Sequence, residues 1–183
     1  MEIIYVTDNK EKFETAQLIL GNKVSLKQAS LDLLEPQCID SKGVSEIKAK
    51  QAYEILKKPL FVTDTGLSLN AFNGFPGALI KFFNEYLGQK GVLKLLDGVK
   101  NRGAKAIVSL TFYDGKTMKT FEGVTEGTIA KREWPEGWEY DRIFIPKGSY
   151  KTWAEMGSEV KNRDSYYKIV LEDFLSWLEH YMA

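Results

Sequence analysis

The chain has 183 residues, 44% of them hydrophobic and 27% charged, an ordinary balance for a soluble globular protein long enough to bury one substantial core. Its 25 basic and 25 acidic residues cancel, which removes any general electrostatic case for binding nucleic acid or a membrane surface. Cys38 is the only cysteine and His180 the only histidine, which argues against an internal disulfide, a cysteine-rich zinc site, a Ser-His-Asp triad and a histidine metal cluster.

The N-terminus, MEIIYVTDNKEK, lacks the basic start, apolar stretch and cleavage pattern of an export signal, and no segment approaches membrane-spanning length. A cytoplasmic location is therefore expected. Ile3-Ile4-Tyr5-Val6 reads as a strand. Thr7-Asp8-Asn9 follow, residue types that cap helices, and Phe13, Ala16 and Leu20 recur at helical spacing before Gly21. A helix N-terminus offers unpaired N–H groups and a partial positive charge to an anion, and Lys12, one turn in, would add a full charge. Taken alone, the same residues suit a well-capped surface helix with a solvated lysine better.

Val24 to Leu34 alternates loosely and is expected as a second strand, stopped by Glu35-Pro36-Gln37. A helix is expected from Ser45 to about Lys57, with Ala49, Ala52, Tyr53 and Leu56 as its apolar stripe and both Lys48 and Lys50 off it. Leu60-Phe61-Val62 reads as a buried strand ending in Thr63-Asp64-Thr65-Gly66, and Asn73-Gly74-Phe75-Pro76-Gly77 as a rigid turn ahead of Lys81. Strand, helix, strand in this order implies a crossover and a largely parallel pair.

Beyond Lys81, an amphipathic segment interrupted by Gly88 and Gly91 reads as two helices or one broken helix. Ala106 to Phe112 alternates, Asp114-Gly115 is a strong hairpin turn, and Met118 to Ile129 returns, so the sheet is expected to be mixed. An aromatic, acidic loop (Trp134 to Tyr140) leads to Asp141 and a short strand, and a helix from Ser165 to about Met182 closes the chain.

Thr7-Asp8-Asn9 with Lys12, then Glu35, then Asp64-Thr65-Gly66 thus stand at separate expected strand ends. Carboxylates, lysines and a helix N-terminus are the components of a magnesium-phosphate site, since Mg2+ takes a few carboxylate oxygens and leaves the rest of its shell to water or phosphate. Neither a P-loop nor a G-x-G-x-x-G fingerprint is present. Residue types and spacing alone lead no further than phosphate chemistry.

The motifs themselves resemble a known family. Thr7-Asp8-Asn9-Lys10-Glu11-Lys12 is similar to the T-x-N-x-x-K motif of the Ham1-like inosine/xanthosine triphosphate pyrophosphatases. Asp64-Thr65-Gly66-Leu67 resembles their D-[ST]-G-[LF], and Asn73 to Gly77 their N-G-x-P-G. Phe121-Glu122-Gly123 with Gly127, Tyr140 to Pro146, and Thr152 to Met156 resemble F-x-G-x-x-x-G, [WY]-D-x-I-F-x-P and T-x-A-E-M, all in family order along nearly the whole chain.

The resemblance implies a long curved mixed sheet flanked by helices, with two lobes and a central cleft, as one domain over residues 1–183 and usually in a homodimer. It implies Mg2+-dependent hydrolysis of a nucleoside triphosphate to the monophosphate and pyrophosphate. Carried over by motif, Thr7, Asn9 and Lys12 would hold the phosphates, with Lys50 and Lys81 as further phosphate contacts and Thr65 a substrate contact; which of Lys48 and Lys50 faces the cleft stays open. Glu35 would ligate Mg2+, and Asp64 would ligate it or align the attacking water. Trp138 would lie over the base, with Asp141, Lys161, Tyr166 and Tyr167 on the base side.

The departures lie on that side. The family's E-K-x-x-x-S motif is normally followed by His-Arg; here one residue intrudes on the Glu-Lys pair and Tyr166-Tyr167 stand in place of His-Arg. Glu139 replaces a frequent glycine. Tyrosine cannot reproduce the forked cationic donors of arginine, so altered base specificity and a non-catalytic nucleotide-binding role stand as alternatives.

Overall fold

A computed structural model of the chain describes residues 1–157 and 166–182. A seven-stranded sheet runs β2-β1-β3-β5-β6-β7, with a short β4 paired to β3. The strands are β1 (Glu2–Val6), β2 (Ser25–Ala29), β3 (Leu60–Leu69), β4 (Pro76–Gly77), β5 (Gly103–Tyr113), β6 (Met118–Ile129) and β7 (Phe144–Pro146). β1 is parallel to both β2 and β3, and the remaining pairs are antiparallel, so the sheet is mixed as expected. Helices α1 (Lys10–Leu20) and α2 (Ser41–Leu56) make the two crossovers.

Alternation along the strands sorts side chains to two faces. Ile4, Val6, Leu60 and Val62 pack against Ala49 and Ala52 of α2. The opposite face carries the larger core, in which Tyr5, Phe61, Leu110 and Phe112 meet α1 and the C-terminal helix, α6 (Tyr166–Met182). Between them come α3 (Ile80–Phe82), a π-turn (Phe83–Leu87), α4 (Gly88–Leu95) and α5 (Trp153–Met156), so the segment after Lys81 is a single broken helix. Among the described residues no helix is long and apolar enough to cross a membrane.

Three boundaries differ from the sequence reading, each for a local reason. α2 starts at Ser41 rather than Ser45, because Asp40 caps it by accepting from the Lys42 and Gly43 amides, both at 3.1 Å. β2 stops at Ala29, and Glu35 lies in the following loop rather than at a strand end. β3 does not stop at Val62: β5 pairs with it from Leu60 to Leu69, so Asp64 is interior to a ten-residue strand. The glycines after it permit the next layer: a Cβ on Gly66 would fall 2.9 Å from the Gly77 carbonyl carbon, and one on Gly77 (φ +58°) 2.1 Å from Ile39 O.

Candidate active site

At Val6 the parallel ladder between β1 and β3 ends, and the chain turns through Thr7-Asp8-Asn9 into α1. Asn9 Oδ1 accepts from the Lys12 amide at 2.9 Å, while the Asn9 amide donates to Thr7 Oγ1 at 3.2 Å, so this turn is built as a helix cap. β3 runs on, and between Val62 and Leu67, where β4 joins, one edge of it has no strand partner. Thr63, Asp64 and Thr65 line a pocket of about 590 Å³ there, together with Thr7, Asn9, Lys12, Glu35, Lys48 and Lys81.

Asp64 points to the α2 face, as Leu60 and Val62 do, and is 9% exposed. Lys48 Nζ, from α2, donates to Glu35 Oε1 at 2.8 Å and to Asp64 Oδ1 at 3.4 Å. Burial pushes the Asp64 carboxyl up to about 6 against the pull of Lys48, with the Glu35 charge adding to the rise. Burial also works on Glu35, but Lys48, Lys81 and Lys12 outweigh it and hold that carboxyl below its ordinary range. Lys48 is raised: burial opposes its charge, and Asp64 and Glu35 overcome that. Asp64 Oδ2 is buried and has no hydrogen-bond partner among the described residues.

Two carboxylates sharing one ammonium, one of them with an unmatched buried oxygen, suit a small divalent cation better than they suit a lysine alone. Among the described residues no cluster of three or more His, Cys, Asp or Glu exists. A protein site supplying only a pair of carboxylates fits Mg2+, which keeps several waters or takes substrate oxygens.

A second pocket, of about 280 Å³, adjoins the first; Asn9, Lys12, Thr65 and Trp138 line both. Its walls are aromatic: Trp138, Trp153, Tyr166 and Tyr167, with the buried Asp141 among them. Both tyrosine hydroxyls are engaged within the protein. Tyr166 Oη lies 2.7 Å from Tyr140 Oη, and Tyr167 Oη donates to the Lys12 carbonyl at 3.0 Å. Tyr167 Oη also lies 2.8 Å from Tyr5 Oη, which in turn is 2.7 Å from Thr63 Oγ1. Burial raises Tyr5 to about 12 and pushes Tyr166 and Tyr167 well above the ordinary phenol range, so all three stay protonated.

The Ham1 family model matches residues 3–177. The chain belongs to the Ham1 family. It is 38% identical over 183 residues to a protein of Saccharolobus solfataricus named dITP/XTP pyrophosphatase, covering 99% of this chain and 95% of that one. It is 40% identical over 172 residues to the inosine triphosphate pyrophosphatase of Kluyveromyces lactis, covering 90% and 89%. A solved HAM1 protein from Coxiella burnetii superposes with a TM-score of 0.87 at 23% identity, covering 98% of this chain and 99% of that one, a likeness of fold.

On this Ham1 fold the structure gathers Thr7, Asn9, Lys12, Glu35, Asp64, Thr65 and Lys81 around one pocket and Trp138, Asp141, Tyr166 and Tyr167 around its neighbour. Lys50 is the exception. It is exposed and lines neither pocket; Lys48 occupies the place expected of it. Two residues of helix turn the side chain to roughly the opposite face. Lys48 lies four residues from both Val44 and Ala52, which are buried, and that spacing was the signal; starting the helix at Ser45 hid Val44. Trp153 and Tyr5 also escaped the sequence reading. Trp153 reads as an ordinary core aromatic, and Tyr5 reaches the site only through its hydroxyl. Lys161 lies outside the described residues. Glu139 has a φ of +36°, a conformation that favours the glycine it replaces.

Proposed function

We propose that this protein hydrolyses non-standard purine nucleoside triphosphates (ITP, dITP and XTP) to the monophosphate and pyrophosphate with Mg2+, clearing them from the nucleotide pool. The observation that carries this reading is the junction of two unlike pockets: cations and carboxylates in one, aromatic walls in the other, and Asn9, Lys12, Thr65 and Trp138 common to both. A triphosphate would lie in the first pocket and its base in the second. The names of the relatives from Saccharolobus and Kluyveromyces support the substrate class.

The chemistry needs an aligned water and neutralisation of the departing pyrophosphate. Asp64, buried and with a carboxyl near 6, suits the first role, orienting the water that attacks the α-phosphorus and taking its proton. Lys12, Lys48 and Lys81, with the amides of the Asn9-capped helix end, suit the second, and Thr7 and Thr65 offer hydroxyls to phosphate oxygens. Glu35 and Asp64 would hold Mg2+, which when bound supplies positive charge to the phosphate oxygens. The bonds change simply: water oxygen to α-phosphorus forms, the α–β bridge breaks, and the pyrophosphate carries away the electron pair.

One observation favours a wider base range within this reaction. Tyr167 gives its only hydroxyl proton to the Lys12 carbonyl, so it has none for a 6-oxo group. Assay of ITP, XTP, dITP and the four common NTPs decides between these readings. Preference for the first three supports the narrow reading, comparable rates on all support the wider one, and no pyrophosphate from any overturns both. The protein is further proposed to act as a single-domain cytoplasmic homodimer; exposed Phe75, Phe82, Tyr86 and Leu87 beside the site are apolar surface that a second copy would cover, checked by light scattering.

A further inference from the structure

Glu139 pairs a strained backbone with a specific tether. Its φ of +36° is one that side chains other than glycine rarely adopt, and its carboxylate is held: Asn84 Nδ2 donates to Glu139 Oε2 at 2.7 Å. Asn84 Oδ1 in turn accepts from Gln89 Nε2 at 3.1 Å, and Gln89 is only 8% exposed, so the inner end of this chain of amides is anchored in packed protein. Asn84 belongs to the π-turn Phe83–Leu87, an irregularity that regular helix lacks and that re-aims side chains.

The outer end of the tether borders Trp138. That indole is 44% exposed and meets the Tyr140 ring at a tilt, with centroids 6.2 Å apart. The loop backbone that carries the indole therefore helps to set its position, and the ring lines both pockets. We propose that Gln89, Asn84 and Glu139 form a latch fixing the Trp138 loop against the helical segment that carries Lys81, which makes Asn84 and Glu139 positioning residues for the nucleotide base. The identity of the ligand rests on the function proposed above; the latch itself does not. Since Lys81 borders the phosphate pocket and Trp138 the base pocket, the latch sets the spacing between the two halves of the site.

The test combines steady-state kinetics of the full chain on its best triphosphate with acrylamide quenching of tryptophan fluorescence in the ligand-free protein, Trp138→Phe serving to isolate the Trp138 signal. Asn84→Ala is expected to raise KM at least fivefold with kcat within twofold, and to make Trp138 more readily quenched. Glu139→Gln, which keeps an acceptor oxygen, is expected to hold KM within twofold of the parent. Glu139→Gly, which relieves the backbone but removes the tether, is expected to raise KM as Asn84→Ala does without lowering Tm. An unchanged KM in Asn84→Ala overturns the latch, as does a KM rise in Glu139→Gln equal to that in Glu139→Gly. A joint fall of kcat and Tm in Asn84→Ala also overturns it, by reducing Asn84 to a structural residue. If the parent turns over no triphosphate, the proposed function fails, and the quenching comparison alone still decides the latch.

Discussion

At Asp64 stability and the proposed chemistry pull in opposite directions. Below about pH 3 the carboxyl is neutral in both folded and unfolded chains; between there and about 6 the folded protein keeps a proton that the unfolded chain progressively loses. Stability therefore falls as pH rises through that window, and above it the full cost of a buried charge is present. A rise from 3.8 to about 6 corresponds to about 2–3 kcal/mol. Asp64→Asn is expected to stabilise the metal-free protein by about that much at pH 7–8 and hardly at all below about pH 3, measured by urea unfolding across pH. The same variant is expected to lose turnover far more than nucleotide affinity; near-normal rates would remove Asp64 from the mechanism. Lys48 and Lys50 form the sharpest paired test. Lys48→Ala should lower kcat/KM by about 100-fold, the scale of losing one preorganised charge at a transition state, while Lys50→Ala should leave it near the parent value.

The elements explain why Lys48 can be so placed. α2 is keyed to the sheet by buried hydroxyls: Ser41 Oγ to Ser109 Oγ at 2.8 Å, Ser45 Oγ to Thr111 Oγ1 at 2.8 Å, and Thr111 Oγ1 to Thr120 Oγ1 at 2.9 Å. Glu46 completes the ladder by accepting from Thr120 at 3.0 Å. Greasy contacts tolerate rotation of a helix, whereas paired hydroxyls do not, so this ladder sets the face on which Lys48 emerges. Thr111→Val keeps the shape but removes one partner from each of Ser45 and Thr120, which retain the Lys42 carbonyl and Glu46, and should cost about 1 kcal/mol in urea unfolding. Local pattern made the strand-turn-helix at residues 3–20, the Asp114-Gly115 hairpin and the mixed sheet readable in advance. What it could not reveal was decided by partners distant in sequence. β3 continues through Thr63-Asp64-Thr65 because β5 pairs with it, and α2 begins early because Asp40 lies within reach of two amides.

Taken whole, the molecule brings the ends of unequal strands into one place. β1 stops short, β3 runs on, and the gap between them receives the cap of α1 from one side and Lys48 of α2 from the other. The Glu139 loop and α6 then wall off an aromatic compartment next to it. Most of the residues proposed for the phosphates could be named from sequence because they sit in short contiguous motifs; Lys48, outside those motifs, lines the pocket where Lys50 was expected. The base side was harder to read, since what Tyr166 and Tyr167 offer a ligand depends on Tyr140, Tyr5 and the Lys12 carbonyl. The arrangement is proposed to cut between the α- and β-phosphates, and hydrolysis of dITP with Mg2+ in 18O-labelled water tests that most directly. The expected products are deoxyinosine monophosphate carrying one 18O and unlabelled pyrophosphate; release of orthophosphate, or label found in the pyrophosphate, would contradict it.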